Sequence, residues 1–147
     1  MSEAARGVRG LRPGPPLAGV LRAPGSKSLA QRGLLCALVA RGRTRMEGLP
    51  VGLPEGEDVH AARALVGALT DVAHAAPGVL EVEGRAAGEL DGAVLDAGES
   101  GTLARLGLGL LALAGRPGER FVIAARGSLL GRDAAALRAA LARAGVT

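Results

Sequence analysis

The stretch PGSKSLAQR, residues 24–32, combines a glycine, two hydroxyls, a lysine and an arginine at the start of a predicted helix. Unpaired N–H groups at a helix start attract anions, and a glycine permits close backbone approach. Lys27 adds a point charge and Ser28 a hydroxyl. Arg32 lies one helical turn after Ser28 and offers a fork that matches a carboxylate. These residue types indicate an anion site, although an ordinary helix cap beside an exposed lysine explains the spacing equally well.

The same stretch does not fit a nucleotide-binding P-loop. That motif needs a longer spacer between its two glycines, and its second glycine directly precedes the lysine. Here Ser26 separates Gly25 from Lys27, and Gly19 lies too far back. A small carboxylate or phosphate is therefore a better class of ligand than a nucleotide.

A second stretch, DAGESGTLAR at residues 96–105, places a Gly-rich turn before another predicted helix. Gly98 and Gly101 bracket Glu99, and Thr102 leads into the helix. Backbone N–H groups would again collect at a helix start. A simple Gly-rich turn with a helix cap is the alternative for this stretch alone.

A third stretch, RGSLLGRD at residues 126–133, follows a strongly apolar segment and flanks the last predicted helix. Ligands of parallel α/β sheets gather at the carboxyl ends of strands, which is where Arg126 and Arg132 would lie. Two solvated arginines are the alternative, because most exposed charges have no binding role.

Strands and helices alternate along the chain, which predicts an α/β fold. Ser28 is predicted at or near a helix N-cap, and Asp58 and Asp133 are predicted to cap their helices. The apolar run at 120–125 predicts a strand buried on both faces. Helices are predicted over 28–40, 59–69, 103–115 and 132–145, and strands over 17–23, 44–49, 78–84, 93–97 and 120–125, with a loop at 50–57.

Composition narrows the class of protein. With 147 residues, 48% of them apolar, the chain is of single-domain size and can bury a core. The net charge of +4 comes from scattered basic residues, and Phe121 is the only aromatic side chain, which argues against a nucleic-acid partner. No apolar run is long enough to span a bilayer and no secretory signal is present, so a cytoplasmic protein without a membrane partner is expected.

Cysteine and histidine usage predicts neither a disulfide framework nor a metal site. Cys36 is the only cysteine and stands among apolar residues of a predicted helix, which predicts a buried thiol. His60 and His74 stand apart in the sequence, and metal sites need more ligands than that.

The chain contains two parts with a similar order of predicted elements. Each part runs strand, polar Gly turn with hydroxyls, helix, strand and helix, the first over about 17–92 and the second over about 93–147. Residues 1–16 are predicted to be a flexible lead-in. The second part stops at 145–147, where a matching strand would begin, so the domain over 17–147 is expected to be incomplete.

The three stretches, in this order, resemble the signatures of the enolpyruvyl transferase family. EDV at residues 57–59 is similar to a further landmark between the first two. The Ser-Lys-Ser of the first stretch resembles the shikimate branch rather than the UDP-N-acetylglucosamine branch. The resemblance runs from about residue 17 to the end. It implies repeated βαβαββ units of an inside-out α/β barrel, with an active site in a cleft between two domains.

The resemblance also implies a reaction, the transfer of the enolpyruvyl group from phosphoenolpyruvate to a hydroxyl of shikimate 3-phosphate in chorismate and aromatic amino-acid biosynthesis. No metal or organic cofactor takes part. Lys27 would contact both substrates and assist proton transfer. Ser28 and Arg32 would hold shikimate 3-phosphate, and the Gly101 N–H and Arg132 would hold phosphoenolpyruvate.

Glu99 and Thr102 are expected beside these ligands. Asp133 replaces the proline that usually follows the arginine of the third motif. Because family members are much longer, the chain is expected to be inactive alone and to need a C-terminal half, supplied on a separate chain or by a continuation. The alternative is a non-catalytic remnant that binds an anion or a partner.

Overall fold

The computed structural model describes residues 14–16, 18–20, 23, 25–49 and 56–146. Most of the predicted lead-in and most of the loop predicted at 50–57 lie outside these ranges. The strand predicted over 17–23 lies partly outside them, and residues 18–20 form a bend rather than a strand.

Helices and strands are interspersed along the chain, and the fold class is α/β, as predicted. The elements are α1 (Lys27–Val39), β1 (Arg43–Met46), α2 (Glu57–Gly67), β2 (Val72–Ala76), β3 (Val79–Glu83), β4 (Val94–Asp96), α3 (Gly101–Ala114), β5 (Val122–Ala124), a short 3-10 helix (Gly127–Leu129) and α4 (Ala135–Arg143).

The strands form two small sheets. An antiparallel sheet has the order β1-β3-β2, and β4 pairs with β5 in parallel. In β3, Leu80 and Val82 are buried, whereas Glu81 and Glu83 pair with arginines of β1. This alternation follows from the period of two along a strand and leaves one face of the sheet for the helices.

Helices α1, α2 and α3 pack together over a core rich in leucine and alanine. Leu34 and Leu38 of α1 are fully buried, as is Val66 of α2, and Leu103 and Leu111 of α3 join them. Burying such a side chain contributes about 1.5–3 kcal/mol. The same packed core therefore supports the starts of α1 and α3, which carry the first and second motifs.

Ser28 lies near the N-cap of α1, as predicted, but does not occupy it, and the cap predicted at Asp58 is wrong. The N-cap of α1 is Ser26, two residues before Ser28, and its hydroxyl accepts from the Leu29 N–H. The N-cap of α2 is Gly56, and Asp58 lies in the first turn, where the helix dipole favours a carboxylate. Asp58 directs its side chain to Lys27 instead.

At α4 the predicted cap is nearly right, since the Asp133 carboxylate accepts from the Ala135 N–H at 2.7 Å, although Ala134 holds the cap position.

Two burial predictions are also wrong. Cys36 is exposed, because α1 turns its leucines to the core and the cysteine falls on the opposite side. In β5, Val122 and Ala124 are exposed and only Ile123 faces the core, because α3 covers one side of this sheet. None of the helices in the described ranges is long and apolar enough to cross a membrane.

Candidate active site

The first turns of α1 and α3 line one open hollow with a volume of about 320 Å3. Of the residues predicted to bind or flank the ligands, all except Arg32 line it. The lining residues are Lys27, Ser28, Gln31, Asp58, Glu99, Ser100, Gly101, Thr102, Arg105 and Arg132.

Both helices leave N–H groups available at this hollow. Ser26 and Ser100 cap their helices by accepting from the third N–H of the first turn, at 3.4 Å and 3.2 Å. The first two N–H groups of each helix have no hydrogen-bond partner among the residues that the structure describes, and they belong to Lys27, Ser28, Gly101 and Thr102. Two positive helix ends therefore face the same space, which suits an anion.

Lys27 is the only lysine of the chain. Its Nζ atom lies 2.8 Å from Oδ2 of Asp58, and its side chain is 70% exposed against 25% for Asp58. Exposed ion pairs contribute little stability. The pair instead directs the ammonium group toward the hollow, where an anionic ligand would compete with Asp58 for it.

Arg32 lies beside the hollow and contacts it through Ser28. Its Nη1 group donates to the Ser28 hydroxyl, and both side chains lie on the same face of α1, as their spacing predicts. Arg32 is exposed, so its remaining donors face solvent. They are available to the outer part of a ligand that also reaches Ser28.

Arg132 brings the third motif to the start of α3. Its Nη2 group donates to Ser128 Oγ at 3.3 Å. A Cβ atom placed on Gly101 would lie 2.9 Å from Nη1 of Arg132. The guanidinium group therefore covers the glycine, and a larger residue at position 101 would have to displace it.

Glu99 links the second motif (residues 96–105) to the third (residues 126–133) by a hydrogen bond. Its carboxylate accepts from the Ser128 N–H at 3.0 Å, and this backbone hydrogen bond is the main cause that lowers the pKa of Glu99. Gly127 has a φ of +55°, and a Cβ there would lie 2.3 Å from the Glu99 carboxyl carbon. Only glycine fits this contact. Glu99 therefore positions the loop that carries Arg132.

The parallel pairing of β4 and β5 explains why these loops meet. The carboxyl ends of the two strands lie side by side, and the Arg126 N–H donates to the Gly98 carbonyl at 2.9 Å. Arg126 itself pairs with Asp96 at 3.3 Å. It therefore joins the two loops and does not line the hollow, unlike Arg132.

Gln31 and Asp58 line the hollow but were not predicted as site residues. The EDV motif at residues 57–59 drew attention to Asp58. The prediction of Asp58 as a helix cap hid its possible role in the site. Gln31 is a lone carboxamide on an otherwise apolar helix face, and this was the signal that could have identified it. Arg105 also lines the hollow and donates to the Asp133 carbonyl at 3.4 Å.

A larger hollow of about 540 Å3 shares Glu99 with the first. Three carboxylates line it, those of Glu57, Asp96 and Glu99, and its arginine is already paired with Asp96. This charge balance does not suit an anion. Within the described ranges no three His, Cys, Asp or Glu residues are grouped to hold a metal. His60 and His74 both contact Arg63, at 3.3 Å and 2.9 Å.

Comparisons with known proteins identify the family. The family model of EPSP synthase (3-phosphoshikimate 1-carboxyvinyltransferase) matches residues 11–147. The chain is 42% identical over 135 residues to a 3-phosphoshikimate 1-carboxyvinyltransferase of Synechococcus sp. (strain RCC307), covering 88% of this chain and 29% of that protein. Against the protein of the same name from Acidiphilium cryptum it is 43% identical over 104 residues, covering 69% of this chain and 22% of the relative.

Among solved structures, an EPSP synthase from Acinetobacter baumannii matches with a TM-score of 0.72 and 25% identity, covering 88% of this chain and 28% of that one. The fold and the three motifs thus define an enolpyruvyl-transferase type of α/β protein. The chain belongs to the EPSP synthase family. It spans less than a third of the length of these relatives.

Proposed function

We propose that this chain provides the part of a 3-phosphoshikimate 1-carboxyvinyltransferase that holds the two anionic substrates, phosphoenolpyruvate and shikimate 3-phosphate. One observation carries the proposal, the convergence of two helix starts with Lys27, Arg105 and Arg132 on a single hollow. The family supports the choice of substrates. We expect the protein to act in the cytoplasm.

The arrangement suggests a role for each residue. The Gly101 N–H and Arg132 would bind phosphoenolpyruvate, because both lie at the start of α3. Ser28 and Arg32 would bind shikimate 3-phosphate on the α1 side. Lys27 lines the same hollow as Ser28, Gly101 and Arg132, so it would contact both substrates.

In the reaction, a hydroxyl of shikimate 3-phosphate adds to the central carbon of phosphoenolpyruvate, and the tetrahedral intermediate then loses phosphate. Fixed cations and N–H donors stabilise the charge that develops. Lys27 can assist proton transfer from this position, while Glu99 and Thr102 flank the ligands. Asp58 would release Lys27 to the substrate and hold it between turnovers.

We further propose that the described elements belong to two repeat units, at about 17–92 and 93–147, after a lead-in at 1–16. The support is that each unit has a serine-capped helix followed by a strand and a second helix, first α1, β1 and α2, then α3, β5 and α4. The repeat explains why two helix starts of the same kind exist to form one site.

A titration tests the binding part of this proposal. Isothermal calorimetry of the chain with shikimate 3-phosphate should give saturable binding, and Arg32→Ala should weaken it by about tenfold or more, since charged hydrogen bonds are strong. Arg138→Ala is the matched control, because Arg138 is exposed on α4 and does not line the hollow. Equal affinity of Arg32→Ala and the wild type would refute the assignment.

A turnover assay separates catalysis from mere binding. We expect the chain alone to bind substrates but not to release phosphate, because no element in the described part of the chain closes the hollow against water. Adding the remaining length of a relative as a separate chain should restore release. The alternative, a non-catalytic anion- or partner-binding remnant, predicts binding without turnover in both conditions.

A further inference from the structure

Gln31 and Ser100 are the buried polar side chains of the described residues, at 2% and 3% exposure. They lie on different helix starts and contact each other. The Ser100 hydroxyl donates to Oε1 of Gln31 at 3.0 Å and accepts from the Leu103 N–H at 3.2 Å. This chain of bonds uses the hydroxyl proton of Ser100 and orients the Gln31 amide.

The Nε2 group of Gln31 takes no part in these hydrogen bonds. It has no hydrogen-bond partner in the described part of the chain, although Gln31 is almost fully buried and lines the hollow. Buried donors are nearly always satisfied, and leaving one unpaired is unfavourable. A ligand in the hollow is the natural partner for this group.

The neighbourhood of Gln31 selects the kind of ligand. The cations Lys27, Arg105 and Arg132 line the same space as the first N–H groups of α1 and α3, which have no partner in the described ranges. Two carboxylates also face it, but Asp58 is paired with Lys27 and Glu99 is bound to Ser128. An oxyanion, carboxylate or phosphate, therefore matches a donor at this point.

We propose that Gln31 is a substrate-binding residue whose amide Nε2 group donates to the oxyanion bound between the starts of α1 and α3. Its carbonyl at the same time fixes the Ser100 cap, so one side chain joins the ligand to the start of α3. The proposal deepens the proposed function, but it needs only that the hollow binds an oxyanion.

The composition provides a direct test. Gln31 is the only glutamine and the chain has no asparagine, so one pair of side-chain NH2 signals is expected in a 15N–1H spectrum. Gln31→Glu should erase this pair and thereby assign it. Titration with inorganic phosphate, phosphoenolpyruvate and shikimate 3-phosphate in separate samples should move the pair saturably, with the affinity seen at the Gly101 N–H. The three titrations show which anion reaches Gln31.

A matched pair of variants tests the energetic role. Gln31→Met removes the amide, whereas Ser100→Ala removes the same Gln31–Ser100 bond but keeps the amide. At a temperature where both are folded by circular dichroism, Gln31→Met should weaken anion binding by about tenfold or more. Ser100→Ala should weaken it clearly less. A purely structural role predicts the same loss in both variants.

The outcomes separate the two proposals. If the Gln31 signals stay fixed while the Gly101 N–H shifts, or if the wild type binds none of the three anions, the Gln31 proposal is overturned. If the anions bind and move the Gln31 signals but turnover is never restored, the transferase proposal fails and the Gln31 proposal stands.

Discussion

The starts of α1 and α3 are both capped by a serine, but they differ in the burial of that serine and in the side chains around it. Ser26 caps α1 from an exposed position, through a hydrogen bond of 3.4 Å. Ser100 caps α3 from a buried position, through a bond of 3.2 Å, and is itself held by Gln31. The cap of α3 is therefore buried and held by a second side chain, whereas the cap of α1 is open to solvent.

The two helix starts also differ in the source of their positive charge. Lys27 and Arg32 belong to α1 itself. The guanidinium group at the start of α3 comes from Arg132, which the bond between Glu99 and Ser128 holds in place. Side chains on α1 can adapt to a ligand, while the charge at α3 depends on a loop that is fixed before binding.

The largest contrast should appear in stability. Ser100→Ala leaves the Leu103 N–H and the Gln31 carbonyl unsatisfied in the core and should lower the free energy of unfolding by about 2–3 kcal/mol. Ser26→Ala removes an exposed cap and should lower it by about 0.5–1 kcal/mol. Urea denaturation measures both values. Equal losses would show that burial does not distinguish the two caps.

Removal of the charge on α1 should affect binding next. Lys27→Met should weaken phosphoenolpyruvate binding by about tenfold or more, because a charge-assisted hydrogen bond is lost. Calorimetry measures the affinity. As the only lysine, Lys27 can also be methylated selectively apart from the amino terminus. Protection of Lys27 from this modification by phosphoenolpyruvate is expected, and an unprotected Lys27 would contradict its role.

Displacing the Arg132 guanidinium group from the start of α3 should have a similar or smaller effect on phosphoenolpyruvate binding. Gly101→Ala places a methyl group 2.9 Å from Arg132 Nη1, so the arginine must move and phosphoenolpyruvate binding should weaken by up to about tenfold. Gly109→Ala is the control on the same helix, since a Cβ there meets nothing within 4 Å. The control should bind normally, and a matching loss in both variants would remove Arg132 from the explanation.

The smallest effect concerns Glu99 and pH. The hydrogen bond that its carboxylate accepts from the Ser128 N–H lowers the pKa of Glu99 from its ordinary value in the folded chain. A lowered folded pKa stabilises the protein above the unfolded pKa, and this gain is lost as pH falls through the folded value. The difference in thermal midpoint between wild type and Glu99→Gln should therefore shrink on acidification. A difference in thermal midpoint that stays constant with pH would contradict a stabilising role of the hydrogen bond between Glu99 and Ser128.

Much of the fold could be predicted because it depends on local patterns. Apolar spacing indicated α1 and α3 to within two residues, and the alternation of elements indicated the α/β class. Burial was harder to predict. Cys36 and the outer face of β5 are exposed, because burial depends on which neighbour covers a surface and not on the residue's own sequence context.

The candidate site divides in the same way. The motifs predicted Lys27, Ser28, Gly101 and Arg132, and all four line one hollow. Asp58 was predicted as a cap and lies instead against Lys27, 31 residues away along the chain. Such a partner is invisible to a local pattern, since an acidic residue near a helix start satisfies the capping rule whether or not it caps.

The chemistry of each helix start follows from the local sequence, since a serine cap satisfies one N–H and leaves the first two N–H groups of the helix without an intrahelical partner. Three motifs in order likewise indicate the family. That two such starts share one space depends on the tertiary fold, because packing of α1 against α3 brings Gln31 to Ser100 across 69 residues. An anion site needs donors from several directions, and packing alone supplies those directions.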